Sequence, residues 1–191
     1  MWDIKKFLFK MLVTPVILYG CEVWGDNICR EYWTRIEQIE KQFITYNLKI
    51  KSNTPYPIFF LEVGISPIES MAMIRYLMYK HKLNNIGDHR LPKMALNSSQ
   101  THLRLKRGWL KDATTWLTYW GLDETATMQN IDKIKNIIAF AFKEKMWCKE
   151  DLEVKRKLRY YKEIINPNLE DQTYPSTLIS SKKKTNIVKI K

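Results

Sequence analysis

Apolar residues along the chain recur mostly at spacings of three and four, and the strict alternation that marks a half-buried strand is nearly absent. This pattern predicts an all-α fold. The first segment, Trp2 to about Trp24, carries Phe7, Met11, Leu12, Ile17, Leu18 and Tyr19. Pro15 is expected to bend it or split it into two helices, because proline lacks the backbone donor and crowds the preceding turn. Gly25-Asp26-Asn27 reads as a turn. From Arg30 to Leu48 the expected stripe is Trp33, Ile36, either Ile39 or Glu40, and Phe43, with Glu31, Arg35, Glu37 and Lys41 on the opposite face. Lys49 to Pro57 is a loop by composition, and Ile58 to Val63 a short apolar turn or helix closed by Gly64. Ser66-Pro67-Ile68-Glu69 has the form of a capping box: a serine cap, proline at the first helical position and glutamate three residues on. The helix it opens should run to about Asn84 and bury Ile68, Met71, Ala72, Tyr76 and either Leu77 or Met78.

Asn85, Gly87, Asp88 and Pro92 interrupt the periodicity and mark a boundary. Beyond it, a helix from Arg107 to Trp120 puts Trp109, Ala113, Trp116 and Trp120 on one face, and Gly121 ends it. A last element from about Asn130 to Ile165 has Ile131, Ile134, Ile138, Phe142, Leu152, Leu158 and Tyr161 as buried candidates. Unbroken, such a helix would span roughly 50 Å, so it is expected to kink or project. The organisation expected from these signals is a helical bundle over 1–86, a linker over 87–104, a helical basic connector over 105–165 and an exposed lysine-rich tail over 166–191.

Charge adds a partner class to this outline. The 191 residues carry a formal charge of +12, unevenly: residues 1–90 hold 12 basic and 9 acidic groups (+3), and 91–191 hold 20 and 11 (+9). A polyanion, nucleic acid first among them, is the expected partner of the second half. A hydrophobic content of 45% with 6 glycines and 7 prolines excludes a wholly disordered or collagen-like chain. Cys21, Cys29 and Cys148 are too widely spaced for a disulfide framework or a zinc pair, which fits reduced thiols in an intracellular protein, nuclear or cytoplasmic. Lys10 and Pro15 interrupt the only stretch resembling a secretory signal, and no apolar run reaches the length of a membrane span.

Catalytic constellations are missing from the sequence. It has no phosphate-binding glycine loop, no G-x-S-x-G, no His/Glu pair at helical spacing and no paired aspartates of the kind that hold magnesium. His81, His89 and His102 match no metal-ligand spacing, so neither metal nor cofactor is expected. The basic residues are more informative. Arg104, Lys106, Arg107 and Lys111 cluster before and within the Trp-rich helix, opposed only by Asp112, and Lys155, Arg156 and Arg159 lie on the last element. These seven are the candidate phosphate contacts. The Trp109, Trp116, Trp120 face has two readings, packed core or a platform for stacking bases.

Leu12-Val13-Thr14-Pro15 with Leu18-Tyr19-Gly20-Cys21-Glu22-Val23-Trp24 resembles the L-V-x-P-x-x-L-Y-G-x-E-x-W helix that follows the polymerase palm in reverse transcriptases of non-LTR (LINE-type) retrotransposons. Ile39-Glu40 to Phe43 is similar to a shortened form of the family's I-E-x-x-x-x-x-F helix. Thr54-Pro55, Leu61-Glu62-Val63-Gly64 and Pro67-Ile68 resemble its E-x-G-x-x-P segment. The resemblance covers 6–86 and extends through 102–165 to the family's connector. It implies a fragment, a thumb plus connector whose catalytic aspartates would lie upstream, so that no residue of this chain is catalytic. It also implies that Leu18, Tyr19, Val23 and Trp24 are thumb-core positions and that Gly20 permits close helix packing. The implied partners are an RNA/DNA hybrid, gripped through its phosphates, and the upstream palm domain of an intact enzyme, with no membrane involved. A free-standing helical protein-interaction adaptor is the alternative from another class, and an amphipathic membrane segment at 1–24 a further one.

Overall fold

The computed structural model describes residues 2–25, 30–50, 54–102, 109–129, 133–148, 156–165 and 167–168, and among them every regular element is helical. In chain order these are α1 (Trp2–Leu8), a π-helical stretch Phe9–Val13, α2 (Thr14–Ile17), α3 (Cys21–Trp24), α4 (Arg30–Leu48), α5 (Tyr56–Val63) and α6 (Ile68–Asn85). They continue as α7 (Leu91–His102), α8 (Trp109–Tyr119), α9 (Glu124–Gln129), α10 (Ile134–Met146) and α11 (Arg156–Tyr160), the last running into a π-helical turn at Tyr161–Ile165. The chain divides into two compact units, each discontinuous in sequence. Unit 1 takes Met1–Tyr19, Glu31–Ile68 and Met146–Lys191, and unit 2 takes Gly20–Arg30 and Glu69–Lys145.

In unit 1, Pro15 is accommodated without a break. Having no N–H, proline cannot bond back to the preceding turn, and the helix widens just before it: the Thr14 amide and, at 3.3 Å, its hydroxyl both reach the Phe9 carbonyl. Helix α5 is apolar apart from Glu62 and buried from Ile58 to Val63. It ends where expected, at Gly64, whose φ of 61° places it in the left-handed region and whose amide bonds to the Phe60 carbonyl at 2.8 Å. The Lys6 ammonium caps the same end, donating to the Val63 and Gly64 carbonyls at 2.7 and 2.8 Å. One core cluster joins Ile44, Phe59, Val63 and Ile65 with Trp2, Phe43 and Tyr56 around it. A second joins Ile58, Leu61, Trp147, Leu158 and Tyr161.

In unit 2, Gly20 adopts φ 67° immediately before α3, a conformation that strains any residue with a Cβ. Ala72, Met73, Tyr76 and Leu77 of α6, Ala113, Trp116, Leu117 and Trp120 around α8, and Ile138 and Phe142 of α10 are buried. Leu83 and Leu96 form a smaller cluster flanked by Tyr79 and Ile86.

Several expectations change. The stripe of α4 that faces inward is Trp33, Glu37, Glu40 and Ile44, so Glu37 is buried and Ile39 is exposed. Glu69, expected only to close a capping box, has both its oxygens engaged by distant side chains. The segment 87–104 contains α7, with Pro92 at its start, where a missing N–H costs nothing. The long C-terminal element is interrupted, as its length required: α10 ends at Met146 with Trp147 in a turn, and a further helix is described over Arg156–Tyr160, residues 149–155 lying outside the described residues. Leu18 is buried, whereas Tyr19 and Val23 are exposed.

Candidate functional site

Of the seven basic candidates, Arg104, Lys106, Arg107 and Lys155 lie outside the described residues, as does the side chain of Lys111. Arg156 and Arg159 stand exposed on α11 in unit 1, three residues apart on one face. The opposite face of this short helix is fixed: Leu158 and Tyr161 are buried against Trp147, Ile58 and Leu61. The Tyr161 ring lies 5.7 Å from that of Trp147, and its hydroxyl donates to the Glu62 carboxylate of α5. A five-residue helix has little stability alone, so this anchoring is what presents the two guanidinium groups outward. Lys157 and Lys162 are half-buried beside them, and Glu163 is exposed on the same segment.

Carboxylates supply what the sequence reading missed. Glu37, Glu40 and Glu62 of unit 1 and Glu69 of unit 2 are all buried. At Glu69, Oε1 accepts from the indole N–H groups of Trp116 and Trp120, both at 2.9 Å, and Oε2 pairs with Arg30. The Arg30 guanidinium also lies over the Tyr119 and Trp120 rings, 5.5 and 5.2 Å from their centroids. Trp120 stacks on Phe142, and Tyr76 meets Trp116 edge-on. The polar edges of Trp116 and Trp120 are thus turned into the protein, which makes both indoles core and not base-stacking platforms; the Trp109 side chain lies outside the described residues. A signal for Glu69 was available, because two indoles one turn apart on a buried face require an acceptor between them.

At Glu40, Oε2 accepts from the Tyr56 hydroxyl at 2.8 Å, and Oε1 is buried without a hydrogen-bond partner. Burial pushes this carboxyl up to about 8. The Tyr56 hydrogen bond opposes the shift, the Glu37 charge adds to it, and the Ile68 amide and Lys10 pull weakly the other way. Tyr56 and the two glutamates hold no geometry for attack on a substrate, since Glu40 is wholly enclosed.

Other nucleophile and ligand candidates are similarly muted. Burial and the Glu22 charge raise the Cys21 thiol to about 11, which leaves it protonated and unreactive. The His81 ring bonds to Asn85 one turn along α6. Among the described residues no group of three His, Cys, Asp or Glu side chains converges on a metal position, and no single helix is long and apolar enough to cross a membrane. A shallow cleft of about 330 Å³ in unit 2 is lined by Thr114, Thr118, Gly121, Asp123 and Glu124, and Glu124 is paired with Lys80. No protein-family model, curated protein or solved structure matches the chain.

Proposed function

We propose that the chain is the thumb and connector part of a LINE-type reverse transcriptase, a helical scaffold that holds a template–primer duplex through its phosphates and carries no polymerase chemistry of its own. The observation behind this reading is the position-by-position likeness of residues 12–24 to the helix that follows the palm in that family. The all-helical architecture among the described residues is compatible with it, as are the positive φ at Gly20 and the burial of Leu18. The exposure of Tyr19 and Val23 departs from the family's expected core. Arg156 and Arg159, outward on an anchored helix, supply the kind of cation that contacts a sugar–phosphate backbone without reading bases.

The test is fluorescence anisotropy of a labelled RNA/DNA hybrid with the wild-type chain and with an Arg156→Ala/Arg159→Ala variant. Each phosphate contact contributes a roughly sequence-independent share of affinity, so the double substitution should weaken binding about tenfold or more for hybrids of any sequence. Both residues are exposed, and circular dichroism should be unchanged. Failure of the wild-type chain to bind the hybrid would overturn the proposal.

A further inference from the structure

Ile4, Phe7, Met11, Leu12, Val16 and Tyr19 are each more than half exposed. Five belong to the N-terminal helical segment of unit 1, where spacings of three and four put them on one side, with Met11 and Leu12 adjacent in the wider π turn, and Tyr19 lies in the turn that follows. The reverse side is pinned. Phe9 stacks on Phe43 with ring centroids 4.3 Å apart, Trp2 lies 5.9 Å from the same ring, and Lys6 holds the end of α5. The stripe is therefore a preformed ridge. With two aromatic side chains of about 200 Å² each and four smaller aliphatic ones, it offers on the order of 600–800 Å², well beyond the single scattered apolar residues of an ordinary surface.

We propose that a second copy of this chain covers this ridge, the two N-terminal segments packing against one another about a two-fold axis. The available area falls within the roughly 600–1,000 Å² per partner of a standard stable interface. None of the six side chains is charged, so the ridge is complementary to itself without any ion pair, as an isologous contact requires. An anionic lipid surface is the competing occupant, since Lys10 is exposed on the same segment, although the Lys6 ammonium is held by two carbonyls. The inference concerns the 191-residue chain and does not rest on the nucleic-acid reading.

Sedimentation velocity on the full chain from about 1 to about 100 µM tests it, with Met11→Glu and Leu12→Glu as separate variants and circular dichroism as the check on folding. The wild type should be a dimer with a micromolar Kd, and either glutamate should raise that Kd at least about a hundredfold by placing a charge in the apolar contact on each copy. A wild type that stays monomeric throughout, that assembles without limit beyond two copies, or whose dimer survives both substitutions would overturn the proposal. So would flotation of the wild type with phosphatidylserine-containing vesicles that Met11→Glu abolishes. Hybrid binding measured on a folded Met11→Glu variant reports on the nucleic-acid reading separately.

Discussion

Replacing Glu69 by alanine is expected to destabilise the protein by about 3–5 kcal/mol, the range for removing one partner of a buried, hydrogen-bonded ion pair. Three donors lose their acceptor at once. The indole N–H groups of Trp116 and Trp120 are buried and would be left unpaired, each at a cost of about 1–3 kcal/mol less whatever relaxation recovers. Arg30 suffers less, because its side chain is 40% exposed and keeps its contacts with the Tyr119 and Trp120 rings. Glutamine at the same position retains an acceptor for both indoles but turns an amide NH2 donor toward the Arg30 guanidinium, so Glu69→Gln should cost less than Glu69→Ala without being neutral. Thermal unfolding followed by tryptophan fluorescence should show the alanine variant melting about 10 °C below the wild type. Equal melting temperatures for wild type and Glu69→Ala would mean that the carboxylate does not organise this part of unit 2.

Stability should fall as pH rises from about 4.5 to about 8, and Glu40→Gln should abolish most of that fall. The Glu40 carboxyl is raised from the ordinary glutamate value of 4.5 to about 8, chiefly by burial. Between those values the folded protein holds a proton that the unfolded chain has released. The resulting stabilisation is present in full below about 4.5, decreases by about 1.4 kcal/mol per pH unit and is gone above about 8, a total on the order of 5 kcal/mol. Glutamine is neutral at every pH in this range and still accepts the Tyr56 hydroxyl, so the variant should show a flat profile and exceed the wild type above pH 8. It will be slightly weaker near pH 5, where its amide places an additional donor in a buried position. Urea denaturation at pH 5.5, 7 and 8.5, each about 1.5 pH units apart, would resolve the slope. Identical slopes for the two proteins would show that Glu40 is ionised in the folded state.

The element boundaries set by local chemistry were readable from the sequence. Helix α4 runs from Arg30 to Leu48 as its periodicity predicts, and Gly64 and Gly121, both at positive φ, mark helix ends at the anticipated positions. Among the residues expected to be buried late in the chain, Ile134, Ile138, Phe142, Leu158 and Tyr161 are. Polarity was the misleading guide. Assigning Glu37 to the outer face of α4 assumed that charge seeks water, whereas the i, i+4, i+7, i+11 geometry from Trp33 carries Glu37 and Glu40 inward. Glu40 meets the Tyr56 hydroxyl there, and burial holds it protonated. The length of the last element called for a kink, but neither Trp147 nor Cys148, which follow the end of α10, is a glycine or proline, so local rules did not place it. Pro92 was read as a breaker because proline at the first turn of a helix and proline ending one look alike without the structure. The basic site was legible as charge, but only Arg156 and Arg159 among its residues have described side chains, and what holds them outward, the Tyr161–Glu62 bond and the Leu158 contacts, joins positions about a hundred residues apart.

The proposed role as a duplex-gripping scaffold depends on phosphate contacts, and their salt dependence measures it most directly. Anisotropy of a labelled RNA/DNA hybrid, followed from about 50 to about 200 mM salt, should give a log–log slope near −5 if about six basic groups neutralise phosphates, a loss of roughly a thousandfold in affinity. No binding, or affinity that does not change with salt, would contradict it.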